Sequence, residues 1–504
     1  MTKPKTVKIE QNERPPIIAI MGHIDHGKSK LLDFIRQTNV VDSEAGGITQ
    51  HTSAYEVIHK DAHGQAKKIT FLDTPGHAAF ETMRERGALI CDIAVLIVSA
   101  EEGVKAQTLE AYSAIKTAGR PFIVAINKID KTNANVEMVK QSLAEKEILL
   151  EGYGGNIPWV AISAKTGQGV DELLTMMLLV AELEELKGNP NSDAKGFVLE
   201  TSLDKQVGIS ATLLIKDGTL NTGDYVIVDG QAIRIKKLEN FLGQTEKAFS
   251  FSSPVKVYGF NTLPRVGAEF TACPNKKNAD ASADCFVATK DNTQSENLNL
   301  KTDTIIVPLV LKADMAGTLE ALKKEVTKIS HEQLGLKIVA TGIGSISEND
   351  VNALAGTETG IVLGFKVKVE RGAIDQAEKY KVRIETSDII YKLTEWLEAE
   401  LELRAPKIMI EETVGKAKIL KTFSRRKDKQ VIGANVILGR ISKNKQVKIW
   451  RRETELGRGR IIDLQQQKIK VAEALENTQF GAEIDSKFEL MPGDIIEVFE
   501  LISK

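Results

Sequence analysis

The sequence predicts a multidomain chain of α/β and β modules, and three observations carry that prediction. Near-continuous apolar runs alternate with helical patterns from Ile17 to Lys187, and short strand-like runs separated by turn residues follow. The same two textures then repeat towards the C-terminus with one long helical stripe between them. A length of 504 residues suits roughly three or four such domains.

In the first block IIAIM, ITFLD, DIAVLIVSA, PFIVAIN and WVAIS read as strands buried on both faces of a parallel sheet. KSKLLDFIRQ, AAFETMRERGA, QTLEAYSAIKTA and VDELLTMMLLVAELEEL read as helices. Their alternation gives a doubly wound α/β domain over 16–188, after an N-terminal tail at 1–15. The turn formers of GNPNSDAKG close it. GFVLETSLD, ISATLLIKDGTL, DYVIV, AIRIKKL and PVKVYGF then predict an antiparallel β-barrel or sandwich over 196–270. Residues 271–302 are polar with weak periodicity and read as a linker. A smaller α/β domain follows over 303–387. Ile389, Ile390, Leu393, Leu397 and Leu401 share one helical stripe, which predicts a connecting helix over 388–405 that Pro406 stops. Short strands over 406–504 predict a C-terminal β-barrel.

Composition excludes several classes. The cysteines Cys91, Cys273 and Cys285 form no C-x-x-C pair, which removes a disulfide framework and a thiolate zinc finger. No apolar run reaches membrane-spanning length. The opening MTKPKTVKIEQNERPP lacks the apolar core of a signal peptide, so a cytoplasmic protein is expected. The net charge of -2 hides an asymmetry: residues 404–460 hold 17 Lys or Arg against 5 Asp or Glu. A basic segment on an otherwise acidic chain suits a phosphate backbone, although a solvated charged face has the same composition.

Gly22-His23-Ile24-Asp25-His26-Gly27-Lys28-Ser29 fits the pattern G-x-x-x-x-G-K-[ST], follows a strand and precedes a helix. Gly22 and Gly27 let backbone N–H groups wrap phosphate oxygens at a helix N-terminus. Lys28 neutralises the β- and γ-phosphates and Ser29 offers a hydroxyl to Mg²⁺. His23 and His26 lie in a loop committed to phosphate and have no third ligand nearby. Asp73-Thr74-Pro75-Gly76-His77 ends a strand, where Asp73 can hold the Mg²⁺ shell and the Gly76 N–H can meet the γ-phosphate. Asn127-Lys128-Ile129-Asp130 carries base choice: the Asp130 carboxylate accepts guanine's N1–H and N2–H, a donor pair that adenine lacks. The Asn127 amide suits guanine's other edge, the Lys128 stem covers the ring, and in Ser163-Ala164-Lys165 the Ala164 N–H suits the base oxygen. One tetrapeptide is weak, but four at successive strand ends specify a GTPase.

GHIDHGKS, GGITQH and DTPGH together resemble the translational GTPases. NVVDSEAGGITQHTSAY, DTPGHAAFETMRERGA, GTLNTGDYVIV, LKADMAGTLEAL, GIGSISENDV and PGDIIEVFE resemble bacterial translation initiation factor 2, from about residue 15 to the C-terminus. The resemblance implies a P-loop GTPase domain, a β-barrel, a small α/β domain, a long connecting helix and a C-terminal β-barrel that binds initiator tRNA. It implies a ribosome-dependent GTPase of translation initiation that uses GTP and Mg²⁺, binds formylmethionyl-tRNA, and promotes joining of the 30S and 50S subunits. Carried over by position, Thr49 closes on Mg²⁺ and γ-phosphate beside Ser29 and Asp73. His77 orients the attacking water, and Ile24 and Ile48 keep it from that water until the ribosome acts. Arg425, Arg426, Lys427, Lys429, Arg440, Lys443, Lys445, Lys448, Arg451 and Arg452 would grip the tRNA backbone.

Three departures bear on the transfer. About sixteen residues precede the first strand where bacterial members carry a long N-terminal region, so a short form is expected, monomeric off the ribosome. The segment 271–303 lacks the family's charged helical stretch. Where the family shows a cysteine-glycine pair near the formylmethionine pocket, this chain has Phe480-Gly481, and that phenylalanine either lines an apolar pocket or belongs to the core. Two rival readings make different demands on the sequence. An elongation-type carrier of aminoacyl-tRNA would lack the second α/β unit, and a non-hydrolysing GTP-binding scaffold would not need Ser29, Thr49, Asp73 and His77 together.

Overall fold

A computed structural model describes residues 12–503, apart from 37–48, 62, 205–206, 285–304, 332, 358, 406–408 and 468. The expectations for Ile48, for Cys285, for residues 1–11 and for 285–302 therefore lie outside the described residues. The chain forms two compact units that divide between Leu403 and Arg404. Among the described residues no helix is long and apolar enough to cross a membrane.

The first unit opens with a six-stranded sheet in the order Ser53–Lys60, Ala66–Asp73, Ile17–Gly22, Ile93–Ser99, Phe122–Asn127 and Trp159–Ala161. Alternate residues of the central strand feed two cores. Ile17, Ala19 and Met21 pack with Ala88, Ala111 and Ile115 on one face, and Ile18 and Ile20 pack with Leu31, Leu173 and Met177 on the other. Burial on both faces explains the continuous apolar runs. The sheet is mixed rather than wholly parallel, because Ser53–Lys60 runs antiparallel to Ala66–Asp73 at the edge. That strand is half-exposed and carries no long apolar run, which is why its sequence does not announce it. Its anchor is Tyr55, which stacks on Phe71 at 5.6 Å beneath the Arg36 guanidinium at 3.4 Å.

Residues 12–15 are not a tail. Asn12–Glu13 pairs antiparallel with Lys187–Gly188, and both Arg14 Nη1 and Nη2 donate to the Asp92 carboxylate at 2.6 Å. Lys216 Nζ reaches the same carboxylate at 2.6 Å from the next module.

That module is a seven-stranded antiparallel sheet with a two-strand ladder beside it. It spans Lys195–Asp204 through Glu269–Cys273 and encloses Val198, Leu213, Val226, Val255 and Phe270. The expected linker starts too early. Residues 271–273 complete a strand and Lys276–Asp284 is a helix, although KKNADASAD has no apolar stripe. The helix docks through Ala279, fully buried against Ile227 and Cys273.

Four parallel strands follow in the order Leu334–Ile343, Ile305–Ala313, Ile361–Phe365 and Arg383–Ser387, with helices Ala316–Lys328 and Arg371–Tyr380. The last helix, Ile390–Arg404, buries Ile390, Leu393, Leu397 and Leu401, the predicted stripe. Its Glu400 pairs with Arg383 of the preceding strand. The stripe is thus satisfied inside the first unit.

The second unit is a closed β-barrel. Met409–Arg426, Ile495–Ser503, Gln446–Arg451, Thr454–Gln466, Gln479–Asp485 and Lys429–Ser442 pair in that order, and the last strand pairs back to the first. Closure leaves none of these six strands as a free edge. Ile419, Ile432, Val447, Ile461, Ile484 and Ile496 fill the interior.

Candidate functional site: a phosphate loop, a hydroxyl-carboxylate cluster and a base-recognition corner

The predicted nucleotide residues gather at the C-terminal ends of the parallel strands. The turn from strand Ile17–Gly22 into helix Lys28–Arg36 needs two glycines. Gly22 has φ +145° and a Cβ there would lie 2.4 Å from the Ile97 carbonyl oxygen, while Gly27 has φ +90° and its Cβ would lie 2.3 Å from Asn127 Nδ2. Asp25 takes a left-handed conformation between them. Ile24 N donates to Gln107 Oε1 at 2.9 Å, a support that no motif signals.

Lys28 is buried inside this loop and donates from Nζ to the carbonyls of His23 at 2.6 Å and Gly22 at 2.9 Å. Burial pulls its pKa down to about 8, against the opposing pull of Asp73. The ammonium is therefore poorly compensated by the groups around it. The Gly76 position lies against the same ammonium: a Cβ there would sit 2.4 Å from Lys28 Nζ and 3.4 Å from Ile24. Thr74 Oγ1 donates to the Ile20 carbonyl at 2.9 Å and pins the DTPG turn to the central strand.

Ser29, Thr49 and Asp73 converge. Ser29 Oγ lies 2.7 Å from Thr49 Oγ1, and Thr49 Oγ1 donates to Asp73 Oδ2 at 3.3 Å. The three come from the helix start, the segment before the edge strand and a strand end. His26 is fully buried with Nδ1 3.3 Å from the Ile97 carbonyl oxygen, and burial lowers its pKa to about 3. It sits edge-to-face with His23, whose pKa burial also lowers.

The residues expected at the base form a corner built on Asn127. Its Nδ2 donates to the His26 carbonyl at 2.8 Å, and its Oδ1 accepts from the Ala164 N–H at 2.9 Å. The Ala164 N–H, expected at the base oxygen, is thus bonded to Asn127. Ser163 Oγ donates to Asp130 Oδ1 at 2.7 Å, and this bond holds the Asp130 carboxyl below its usual range. Lys128 has φ +67° and reaches Glu102 at 3.5 Å and Glu101 at 3.7 Å, while Lys165 is exposed.

His77 stands apart from this cluster. Its Nδ1 accepts from the Ala79 N–H at 3.0 Å and caps the short helix Ala78–Phe80. Its ring stacks on Tyr391 with centroids 6.0 Å apart and planes at 16°. Burial lowers its pKa. Tyr391, like Gln107, carries no local sequence signal.

A family model for the elongation factor Tu GTP binding domain matches residues 13–182, one for elongation factor G domain 2 matches 193–273, and one for translation-initiation factor 2 matches 286–398. The chain is 40% identical over 498 residues to translation initiation factor IF-2 of Halalkalibacterium halodurans, covering 97% of this chain and 67% of that protein. It is 39% identical over 497 residues to the IF-2 of Bacillus subtilis, covering 96% and 69% respectively. The chain belongs to the translation initiation factor IF-2 family. A solved structure of GDP-bound aIF5B from Aeropyrum pernix is 27% identical, with a TM-score of 0.47 over 97% of this chain and 92% of that one. As an IF-2 family member the chain is a translational GTPase that acts in initiation. The elongation-type carrier and the non-hydrolysing scaffold fall away with that assignment.

In the second unit the ten predicted RNA-gripping cations divide into two groups. Arg425, Arg440, Lys443, Lys445, Lys448 and Arg451 pair with Glu489, Glu473, Asp463, Glu500, Glu411 and Asp494 of the same barrel. Among the described residues Arg426, Lys427, Lys429 and Arg452 carry no ion pair, and all four are exposed. Phe480 is 4% exposed and belongs to the barrel core, yet it also lines an open groove.

Proposed function

We propose that this factor holds GTP with Mg²⁺ in the first unit, binds initiator formylmethionyl-tRNA through the C-terminal barrel, and hydrolyses GTP as the 30S and 50S subunits join. The observation that carries the nucleotide part is the convergence of Ser29, Thr49 and Asp73 beside the under-compensated Lys28. Two hydroxyls and one carboxylate are a hard oxygen set, which suits a Mg²⁺ that takes its remaining ligands from phosphate and water. Bound there, the metal neutralises charge on the β- and γ-phosphates. Lys28 would exchange its two carbonyl partners for phosphate oxygens, and Asp130, fixed by Ser163, would accept the guanine N–H pair. His77 would orient the attacking water once it leaves Tyr391.

The tRNA part rests on the barrel. A groove of about 1050 Å³ is lined by Leu420, Phe423, Ile469, Val471, Phe480 and Gly481 among others. Its floor is open because Gly433 faces Gly481 across the ladder, and a Cβ on Gly481 would meet nothing nearer than 3.8 Å. Lys421, Gln466, Gln467, Thr478 and Gln479 supply a polar side to this groove, and its apolar side suits a methionyl side chain, with Phe480 as its base. The unpaired hairpin cations Arg426, Lys427 and Lys429 suit the tRNA backbone, which positions without specifying. The protein is expected in the cytoplasm, where its ribosomal partners work.

Equilibrium binding of formylmethionyl, methionyl and deacylated initiator tRNA tests this reading. The formylated form should bind best, and Phe423→Ser, at a side chain 63% exposed, should erase that preference while the barrel stays folded. Arg426→Glu with Lys427→Glu should weaken all three forms alike and flatten the salt dependence. Equal binding of the three forms by the unaltered chain would overturn it.

A further inference from the structure

His77 faces the small α/β module rather than the phosphate loop. Among the described residues its side-chain hydrogen bond and ring contacts lie in its own turn and in the helix Ile390–Arg404: the Ala79 N–H on Nδ1, Phe80 edge-on at 6.3 Å and Tyr391 in an offset stack at 6.0 Å. The charges that act on its imidazole are Glu325, Arg84 and Lys328, two of them on helix Ala316–Lys328 of that module, and neither Lys28 nor Asp73 is among them. The segments around it are tied the same way. Gln50, next to Thr49, donates to the Asp388 carbonyl at 2.8 Å, three residues before Tyr391. His51 pairs with Asp314 at 2.8 Å, Glu81 with Lys324 at 2.6 Å and Arg86 with Glu320 at 2.7 Å.

We infer that Tyr391 is a positioning residue that holds the His77 imidazole turned away from the nucleotide, so that hydrolysis requires this stack to break. The inference rests on the proposed role of His77 as the residue that orients water. Two contacts fix the parked ring: the Ala79 N–H sets its rotation and places the remaining ring proton on Nε2, and Tyr391 covers its face. Because Tyr391 lies on the helix that packs the small module, a shift of that helix away from the turn uncovers His77. An aromatic pair of this geometry is weak enough that its loss shifts an equilibrium by about two- to tenfold. The brake is therefore graded, and removing it leaves the water-orienting chemistry intact.

The test is GTP turnover of the full chain without ribosomes, for the unaltered protein, Tyr391→Ala, Tyr391→Phe, His77→Ala and the double variant Tyr391→Ala with His77→Ala. Tyr391 is 37% exposed and lies off the buried stripe of its helix, so its truncation spares the core. Tyr391→Ala should raise kcat about two- to tenfold with KM for GTP unchanged. Tyr391→Phe, which keeps the stack, should match the unaltered chain, and the double variant should fall to the level of His77→Ala. An unchanged or lower kcat in Tyr391→Ala, or a rise that survives in the double variant, would overturn the inference. A His77→Ala chain that keeps its ribosome-stimulated turnover would instead remove the role of His77 itself, and the inference with it.

Discussion

The Asn127 side-chain amide donates to the carbonyl of His26 at 2.8 Å, so a residue proposed to recognise the base braces the Gly22–Ser29 loop. Its other atom accepts the Ala164 N–H, and the side chain is 1% exposed. One buried amide therefore holds two binding elements in register. Asn127→Ala should orphan both partners at about 1–3 kcal/mol each. The expected outcome is a loss of GTP and GDP affinity together, by about 10²-fold, with ribosomal stimulation per bound nucleotide unchanged. Fluorescent-nucleotide titration checks it, and loss for GTP alone would point to a different role.

Base choice is assigned to Asp130, set by Ser163 Oγ at 2.7 Å. Asp130→Asn replaces one acceptor oxygen by an NH₂ donor, which suits xanthine, whose C2 carries oxygen where guanine carries an amine. GTP affinity should fall and XTP should become the better ligand. Competition between the two nucleotides reads this out directly.

Lys28 makes nucleotide capture pH-dependent. Burial lowers its pKa from 10.5 to about 8, so the nucleotide-free chain loses the charge of this side chain as pH rises through about 8. A folded-state pKa below the unfolded one means that the nucleotide-free fold gains stability over the range from about 8 towards 10.5, as the cost of burying the charge disappears. GTP association should slow as pH rises through about 8, because an uncharged amine does not attract phosphate. Stopped-flow association rates against pH test this, and a flat profile between pH 7 and 9 would contradict it.

The Asp92 carboxylate joins three stretches of chain by accepting from Arg14, Lys216 and the Ile17 N–H. Burial would raise its pKa, but Arg14 and Lys216 together hold it below the usual carboxylate range. Its stabilising contribution is thus present above the unfolded carboxyl pKa and lost as pH falls through the lower folded value. Asp92→Asn, which leaves two buried cations without their carboxylate, should cost about 3 to 5 kcal/mol in thermal or denaturant unfolding at neutral pH. That deficit should shrink under strong acid.

The motifs, the fold class and the order of modules were legible in the sequence because each rests on local pattern: glycines where φ turns positive, continuous apolar runs where a strand is covered twice, one stripe on Ile390–Arg404. What sequence did not disclose is tertiary. Strand Ser53–Lys60 gains its place from Tyr55 packing on Phe71, and helix Lys276–Asp284 from a single buried Ala279. Arg14 reads as tail until Asp92 is beside it. The basic run looks like one RNA-binding patch, yet six of its ten cations meet acids such as Asp463 and Asp494 that are distant in sequence. Tyr391 fills no motif and matters only because His77 lies against it.

We propose that His77 orients the attacking water and becomes effective only on the ribosome. The most direct measurement is GTP turnover of the chain alone, with 30S subunits, and with 30S and 50S subunits together, for the unaltered protein and His77→Ala, with ATP as the control. The joined subunits should stimulate GTP turnover strongly and ATP turnover not at all, and His77→Ala should lower the stimulated rate by about 10²-fold or more while GTP binding persists. Turnover that the joined subunits leave unchanged, in a chain that binds GTP, would contradict it.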